Sequence, residues 1–421
     1  MTLMLGVLSI AFAGTAHAEF RAAAAGRDVT PEKMLPVSGG AGPSSPATKK
    51  QGQLITRALV LDNGKTRVAI VDEPFLGFPA SLCDRVRELV KGIPPANVII
   101  GSAHIHSAPD CYGFPFPMKD GSPGFDPEYI TTVVTKTAEA INEAVSKLQP
   151  AGLRIASGKA AEKIAYNYYA PELYDRRCHV IQAVAKDGKP IATLVNYASH
   201  PEVIGPDQGI LSPDFVGPLY DRIAEKGGGT GIFMNGAQGG MVTADCRGPD
   251  GKDIQTWEEC VRIGNLLADE ALRIVSAAPL QENPELFCAA TTITFPVESP
   301  MMQELLKSAP MLQGKNQDTT KVQTQVNVVN IGTAQVLTIP GEALPNIGFY
   351  LKRKMHGAND NNFLFGLTND AFGYMLTRVD WHSFDRYKYV TETSLGENTG
   401  EILITEGLKF VDSCPRPQAG K

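Results

Sequence analysis

Short apolar runs alternate with amphipathic segments along most of the chain, and this pattern predicts an α/β fold. Runs of β-branched and aliphatic residues, typical of buried strands, occupy residues 98–100, 192–197 and 335–339. Apolar residues three or four positions apart predict long helices at 127–148 and 254–278. Strands and helices stay intermingled to the end, with no internal repeat and no linker rich in proline or serine. We therefore expect one α/β (α+β) domain, in which a mixed β-sheet is flanked by helices.

The first residues have the pattern of a secretory signal. Residues 3–12 form a short apolar run, and a cleavage site of the A-x-A type ends at Ala18, although a basic n-region is absent. A run this short does not span a bilayer, so no transmembrane segment is predicted. We expect residues 1–18 to be removed and residues 19–421 to form a periplasmic or secreted domain. Its first part, 19–53, is rich in Ala, Gly, Ser and Pro and predicts an irregular lead-in.

Composition narrows the choice of partner and of redox chemistry. The chain has 421 residues, of which 43% are hydrophobic and 20% charged, and a formal net charge of −6. That composition is typical of a globular protein with ample core, and the lack of a long basic run argues against nucleic acid as a partner. Seven cysteines are scattered without a CxxC pair. The odd number leaves at least one free, and Cys246 with Cys260 is the candidate bridge in an exported protein.

The segment NVIIGSAHIHSAPD carries the strongest chemical signal in the chain. A buried strand is predicted at its start, and His104 and His106 follow two positions apart where that strand ends. Side chains at positions i and i+2 of a strand point to the same side, so both imidazoles are expected to face one spot at the rim of a sheet. Ligands of α/β proteins bind at this rim, and imidazole is the commonest metal ligand. The sequence therefore predicts a metal site, with backbone hydrogen bonding of both rings as the alternative.

Two further polar residues follow predicted core strands in the same way. His200 comes just after the strand 192–197, and with His104 it supplies the second nitrogen of a catalytic zinc site. Glu342 comes just after the strand 335–339 and before a predicted helix. A carboxylate in the first turn of a helix is also favoured by the helix dipole, so both interpretations of Glu342 stay open at this point.

Other candidate residues are ambiguous on the residues alone. Tyr374, in NDAFGY, is equally typical of a buried core tyrosine. The glycine-rich loop 235–241 (NGAQGGM) lacks the GK[ST] ending and the GxGxxG spacing of phosphate loops. Its expected use is to bring backbone N–H groups near a substrate. The remaining histidines are predicted to be structural: His179, His356 and His382.

Several motifs occur along the chain in a definite order. They are DVTP, GSAHIHSAPD, NYASHPEVIG with LSPDFVG, IPGE and NDAFGYMLT. Their sequence and order resemble the catalytic N-terminal domain of the neutral/alkaline non-lysosomal ceramidase family. The resemblance runs from about residue 24 to 412, and the family's immunoglobulin-like C-terminal domain has no counterpart in it.

This resemblance implies one catalytic zinc ion (Zn²⁺) held by two histidines, a glutamate and a tyrosine. Matched position by position, these ligands are His104, His200, Glu342 and Tyr374. The second histidine of the HxH element, His106, is implied to face the scissile carbonyl rather than the metal.

Two positions depart from the family pattern. The family's catalytic-site serine corresponds to Gly236, and the arginine of its Asn-Arg pair corresponds to Tyr168, so the pocket is expected to differ. We expect backbone N–H groups of residues 236–240 to contact the oxyanion. Asp214 and Asp110 are predicted to orient the metal-binding histidines from behind.

Together these features predict an exported zinc-dependent hydrolase. Its substrate is expected to be an N-acyl amide, a ceramide-like lipid or a related acylated small molecule, cleaved by metal-activated water. A zinc esterase or lactonase, and a non-catalytic metal-stabilised binding protein of the cell envelope, are the alternatives. The metallo-β-lactamase pattern HxHxDH is missing, and the later carboxylated-lysine and Asp elements of two-metal amidohydrolases are not recognised.

Overall fold

The computed structural model describes residues 19–315 and 318–420, so the predicted signal segment lies outside the described residues. The strands of the described part are β1 (Arg21–Asp28), β2 (Lys49–Lys50), β3 (Ile55–Asp62), β4 (Arg67–Glu73), β5 (Val98–Ser102), β6 (Gln149–Lys159), β7 (Ala165–Asn167), β8 (Arg177–Ala185), β9 (Pro190–Tyr197), β10 (Ile210–Leu211), β11 (Thr230–Asn235), β12 (Val242–Ala244), β13 (Leu280–Gln281), β14 (Leu286–Pro296), β15 (Lys321–Ile331), β16 (Ala334–Thr338), β17 (Glu342–Ala343), β18 (Asn362–Phe365) and β19 (Tyr374–Met375).

The helices begin at residues suited to helix starts. Asp126, Thr256 and Ser299 each accept a hydrogen bond from a backbone N–H of the first turn of the helix that follows. The α-helices are α1 (Ala80–Leu89), α2 (Pro127–Ser146), α3 (Val216–Glu225), α4 (Trp257–Ser276), α5 (Pro300–Ser308), α6 (Pro310–Gln313), α7 (Pro345–Lys354), α8 (Lys388–Glu392) and α9 (Thr399–Ser413).

Two mixed sheets form the centre of the fold. The larger has the strand order β11-β9-β8-β6-β1-β3-β4-β5, with β13 also paired to β6, and the smaller has the order β14-β15-β16-β18. Most neighbours are antiparallel, but three pairs are parallel: β4 with β5, β9 with β11, and β16 with β18. The predicted fold class, mixed sheets flanked by helices, is confirmed.

The fold has four layers. Successive residues of a strand point alternately to the cluster between the two sheets and to the cluster under the helices on the outer face of the sheet. Ile70 and Phe363 belong to the cluster between the two sheets. Their neighbours face outward: Val71 belongs to the cluster that includes residues of α1–α4 on the larger sheet, and Leu364 belongs to the one that includes residues of α5, α7 and α9 on the smaller sheet. The period-2 alternation of the strands therefore builds a helix–sheet–sheet–helix stack.

The prediction of an irregular lead-in at residues 19–53 is wrong for the first part of that segment. Residues Arg21–Asp28 form β1, which pairs along its whole length with β3 and also with β6 in the middle of the larger sheet. Its sequence, RAAAAGRD, is alanine-rich and has low intrinsic strand propensity. Tertiary packing overrides that propensity, since small side chains such as Ala22 and Ala23 fit the two crowded faces of a central strand.

Two other sequence predictions concern cysteines and membranes. The predicted Cys246–Cys260 bridge is wrong: all seven cysteines are free thiols, and both of these are buried. Among the described helices, none combines the length and the apolar character needed to cross a bilayer.

Candidate metal centre

The candidate residues lie at the carboxyl ends of strands from both sheets. His104 and His106 follow β5, and His200 follows β9. From the smaller sheet, Glu342 follows β16 and opens β17, where it pairs directly with Tyr374 of the parallel strand β19. The topology thus brings residues from four distant parts of the chain to one edge of the fold.

The first two histidines converge for a different reason than strand alternation. β5 ends at Ser102, and His104 has a left-handed backbone with φ 71°, which a non-glycine residue adopts rarely. The turn brings the rings of His104 and His106 to a centroid separation of 4.8 Å, edge to face. The predicted proximity is therefore present, but a turn beyond the strand produces it.

Backbone carbonyls orient two of the imidazoles. Nδ1 of His104 lies 2.5 Å from the carbonyl oxygen of Leu76, and Nδ1 of His200 lies 2.7 Å from that of Val242. A carbonyl oxygen only accepts, so each Nδ1 carries a hydrogen, and Nε2 is the ring nitrogen left for a metal. This is the tautomer that metal-binding histidines need when they bind through Nε2.

The Nε2 atoms of His104 and His200 both point at one carboxylate oxygen. Oε2 of Glu342 lies 3.1 Å from Nε2 of His200 and 3.5 Å from Nε2 of His104. In a tetrahedral zinc site with bonds of about 2.0–2.1 Å, neighbouring donor atoms are about 3.3–3.4 Å apart. The observed separations bracket this value.

His106 completes a candidate three-histidine metal site. One ligand atom from each of His104, His106 and His200 lies within 4.8 Å of the others. Nε2 of His106 is buried and has no hydrogen-bond partner among the described residues, while its Nδ1 lies 3.5 Å from Oε2 of Glu202. A buried ring nitrogen without a partner is costly, and a ligand in the adjoining cavity is the natural partner.

Tyr374 borders the same cavity. Its hydroxyl donates to the thioether sulfur of Met241 at 3.3 Å, and its ring stands edge to face with that of Tyr389 at 6.1 Å. Burial raises the pKa of Tyr374 well above its usual range, with a further contribution from the charge of Glu342. The phenol is therefore a neutral group beside the carboxylate.

Electrostatics separate the three histidines. Burial lowers the pKa of both His104 and His106 to about 3. Burial also acts to lower the pKa of His200, but the hydrogen bond with Glu342 and the charges of Glu202 and Glu342 outweigh it and raise that pKa to about 9. At neutral pH one proton thus resides between His200 and Glu342, in the position where a cation would be stabilised.

The centre opens into a cavity of about 260 Å³. The lining includes His104, His106, His200, Glu342 and Tyr374. Most of the remaining wall is apolar, formed by Leu76, Phe114, Met302, Leu305, Leu312 and Ala371. Among the described residues, neither a lysine nor an arginine lines it. Such a cavity fits an apolar group placed next to a polar reacting group.

Three predicted supporting residues do something else. The N–H of Gly236 donates to Oδ1 of Asn235 and to the carbonyl oxygen of Tyr197, so it is not free to contact an oxyanion. Asp214 accepts from the backbone N–H groups of residues 204 and 215. Asp110 accepts from those of residues 112 and 114. Both aspartates shape loops, and backbone carbonyls take the orienting role that was predicted for them.

Sequence reasoning missed Asn235, a fully buried residue at the end of β11. Its side-chain amide donates to the carbonyl oxygens of Ala103 at 3.0 Å and of Ser199 at 2.9 Å, each the residue just before a histidine of the centre. One side chain therefore fixes the two histidine segments relative to each other. Tyr168, at the position of the family's arginine, has 63% of its surface exposed and does not line the cavity.

Comparisons with known proteins bear on the fold. The sequence matches no model of a protein family and no curated protein. Among solved structures, neutral ceramidase from Pseudomonas aeruginosa superposes with a TM-score of 0.75 and 16% identity, over 96% of this chain and 76% of that chain. A ceramidase complexed with C2 gives a TM-score of 0.75 and 14% identity, over 96% of this chain and 77% of that one. The resemblance inferred from the sequence is thus confirmed at the level of the fold.

Proposed function

We propose that this protein is an exported zinc-dependent hydrolase that cleaves the amide bond of an N-acyl compound, with residues 19–421 as its catalytic domain. The observation that carries the proposal is the convergence of the Nε2 atoms of His104 and His200 on one oxygen of Glu342, beside a mainly apolar cavity. The ceramidase fold supports amide cleavage as the reaction.

The donor set fits zinc. Two imidazoles that present Nε2, one carboxylate and a neighbouring phenol are nitrogen and oxygen donors that zinc accepts. In addition, Nε2 of His200 and Oε2 of Glu342 are both acceptors and lie 3.1 Å apart. Two acceptors at this distance require a proton or a cation between them. We assign His104, His200 and Glu342 as ligands, with Tyr374 as the fourth.

The chain's own residues supply the remaining chemistry. When bound, zinc lowers the pKa of water and polarises a carbonyl. The carboxylate of Glu202 favours the hydrogen of His106 on Nδ1, which leaves the unpartnered Nε2 as the basic atom facing the cavity. That nitrogen takes a proton from the attacking water and returns it to the departing amine nitrogen. The apolar wall holds the acyl group and excludes water from the reacting carbon.

The experiment combines metal analysis with matched substrates. We expect one zinc per chain in the purified protein, and loss of hydrolysis on chelation that zinc restores. Hexanoyl amides and the corresponding esters distinguish the amidase from a zinc esterase, because the amidase cleaves both types while an esterase leaves the amides intact. Hydrolysis that persists unchanged after complete metal removal would refute the proposal.

A variant separates the role of His106 from that of the ligands. His106→Ala is expected to retain the zinc and to lose about 100-fold in kcat, as is typical for removal of a general acid–base group. If the variant loses the metal instead, His106 is a ligand and the three-histidine site is the correct assignment. If it keeps both metal and activity, the proton-transfer role is wrong.

A further inference from the structure

One carboxylate in the cavity has no role in the proposed metal site. Glu202 lies two residues beyond His200 and lines the cavity, where its side chain retains 25% of its exposed surface. Within the described residues, its carboxylate accepts no hydrogen bond, and its only ion-pair contact is the 3.5 Å approach to His106. Within the described residues, Glu202 therefore has no hydrogen-bond donor and forms no ion pair with a lysine or an arginine.

The surroundings of this carboxylate favour a positive charge. In the part of the chain that the structure describes, no lysine or arginine lines the cavity, and the other carboxylate there, Glu342, is engaged by His200. Tyr389 also lines the cavity, and aromatic side chains attract cations. A substrate group that enters this part of the cavity meets a charge that an ammonium matches and a carboxylate opposes.

The cavity has an apolar part and an acidic part. Leu76, Phe114, Met302 and Leu305 line the cavity and belong to one hydrophobic cluster, and Glu202 supplies an acidic group to the same lining. The acidic part is closed by backbone. A Cβ on Gly39 would lie 2.4 Å from Cγ of Pro206, and one on Gly40 would lie 3.0 Å from the hydroxyl of Tyr389. Glycines thus let this segment pack tightly around the acidic end.

We propose that Glu202 is a specificity-determining residue that selects amides whose amine portion carries a second, protonated amino group. The inference rests on the proposed function. Because Glu202 contacts His106, the group that protonates the departing nitrogen, the acidic part lies on the side of the leaving amine. The acyl group occupies the apolar part, and the ammonium of the amine fragment pairs with Glu202.

The test uses three substrates of equal acyl length. N-hexanoyl-diaminobutane is cationic, N-hexanoyl-pentylamine is its neutral isostere, and N-hexanoyl-aminobutanoate is anionic. The wild type is expected to prefer the cationic over the neutral amide by about 10- to 100-fold in kcat/KM, the effect of one charge-assisted hydrogen bond. The anionic amide is expected to be the poorest of the three.

Variants assign the preference to one residue. Glu202→Gln is expected to reduce the cationic-to-neutral ratio at least tenfold, and Glu202→Lys to make the anionic amide better than the cationic one. Asp207→Asn is the matched control, since it removes the same charge from an exposed site on the same loop that does not line the cavity. The proposal would be overturned if the wild type had the same kcat/KM for the cationic and the neutral amide. It would also be overturned if Glu202→Gln and Asp207→Asn changed the cationic-to-neutral ratio equally.

A binding measurement keeps this result separate from the proposed function. Calorimetry compares the binding affinities of hexylammonium and hexanol for the wild type, Glu202→Gln and Asp207→Asn. Neither probe can be hydrolysed. Tighter binding of hexylammonium that is lost in Glu202→Gln and kept in Asp207→Asn supports the cation site even if no amide is cleaved, in which case only the hydrolase proposal fails. Equal binding of the two probes to the wild type refutes the cation site.

Discussion

Two buried histidine clusters in this protein look alike in composition but differ in what they can do. The metal centre combines His104, His106 and His200 with Glu342. A second group, here termed the lysine cluster, consists of His179, Lys352, Asp175 and Ser157. Each has imidazole next to a carboxylate, and each links residues far apart in the chain.

In the lysine cluster every ring nitrogen has a protein partner. Lys352 Nζ lies 2.9 Å from Nε2 of His179 and 3.0 Å from Oδ2 of Asp175, while Nδ1 of His179 lies 2.6 Å from Oγ of Ser157. An ammonium only donates, so Nε2 accepts and Nδ1 carries the hydrogen. His179 therefore donates to Ser157 and cannot remove its proton, although the pair resembles a nucleophile and its base.

The two clusters differ in whether the histidine nitrogens have hydrogen-bond partners and in whether the histidines face the cavity. His106 has a buried nitrogen without a partner and faces a cavity, whereas His179 has both nitrogens engaged and does not line that cavity. The prediction that His179 is structural agrees with this geometry. A buried histidine thus indicates function when the protein leaves one of its nitrogens for a ligand.

The largest effect is expected from breaking the lysine cluster. Lys352→Met leaves the buried carboxylate of Asp175 with Arg177, at 2.8 Å, as its one remaining ion-pair partner among the described residues. We expect the free energy of unfolding to fall by about 3 kcal/mol, the low end for a broken buried pair, with zinc content unchanged. Lys354→Met, at an exposed position of the same helix, is the control and should change stability by less than about 0.5 kcal/mol in denaturant titrations. Loss of zinc in Lys352→Met would show that the clusters are coupled.

A substitution in the metal centre is expected to lower the affinity of the protein for zinc. His200→Ala removes a ligand and should weaken zinc binding by about 100-fold or more, because loss of even an outer partner of a ligand costs 10- to 100-fold. His179→Gln is the matched substitution in the lysine cluster and should leave the zinc affinity unchanged. Competition with a chelator of known affinity measures both. Equal affinities in the wild type and His200→Ala would remove His200 from the site.

The smallest effect is a pH dependence confined to the metal centre. In the metal-free protein the pKa of His200 is raised to about 9, so a proton occupies this group at neutral pH and must leave when zinc binds. Zinc affinity should therefore fall about tenfold for each pH unit below 9 and level off above it. His104 and His106, with pKa values of about 3, add no further proton.

Calorimetry in buffers of different ionisation enthalpy measures this proton release. About one proton per zinc is expected near pH 7. The metal-free protein should show the opposite trend in stability: the raised pKa of His200 contributes fully below its unfolded value of about 6.5 and is lost as the pH rises through about 9. In the lysine cluster, burial and the charge of Lys352 hold the pKa of His179 well below its usual range. That histidine should contribute no titration near neutrality.

The sequence by itself determined the elements with strong local patterns. β-Branched runs marked β5, β9 and β16, and the position of His104, His200 and Glu342 after those strands followed from chain order alone. Local patterns act over a few residues, so they place a side chain at the end of a strand. They also failed locally where packing outweighed propensity, as in the alanine-rich β1.

Only the tertiary structure decided which groups meet at the site. The carbonyls of Leu76 and Val242, rather than Asp110 or Asp214, orient the histidines, and Asn235 ties their segments together. These contacts join residues many positions apart, and their geometry depends on how two sheets stack. A sequence pattern of short period contains no information about the distance in space between residues that are far apart in the chain. For the same reason, only the assembled cavity wall shows that Glu202 lies in it without a lysine or arginine partner among the described residues.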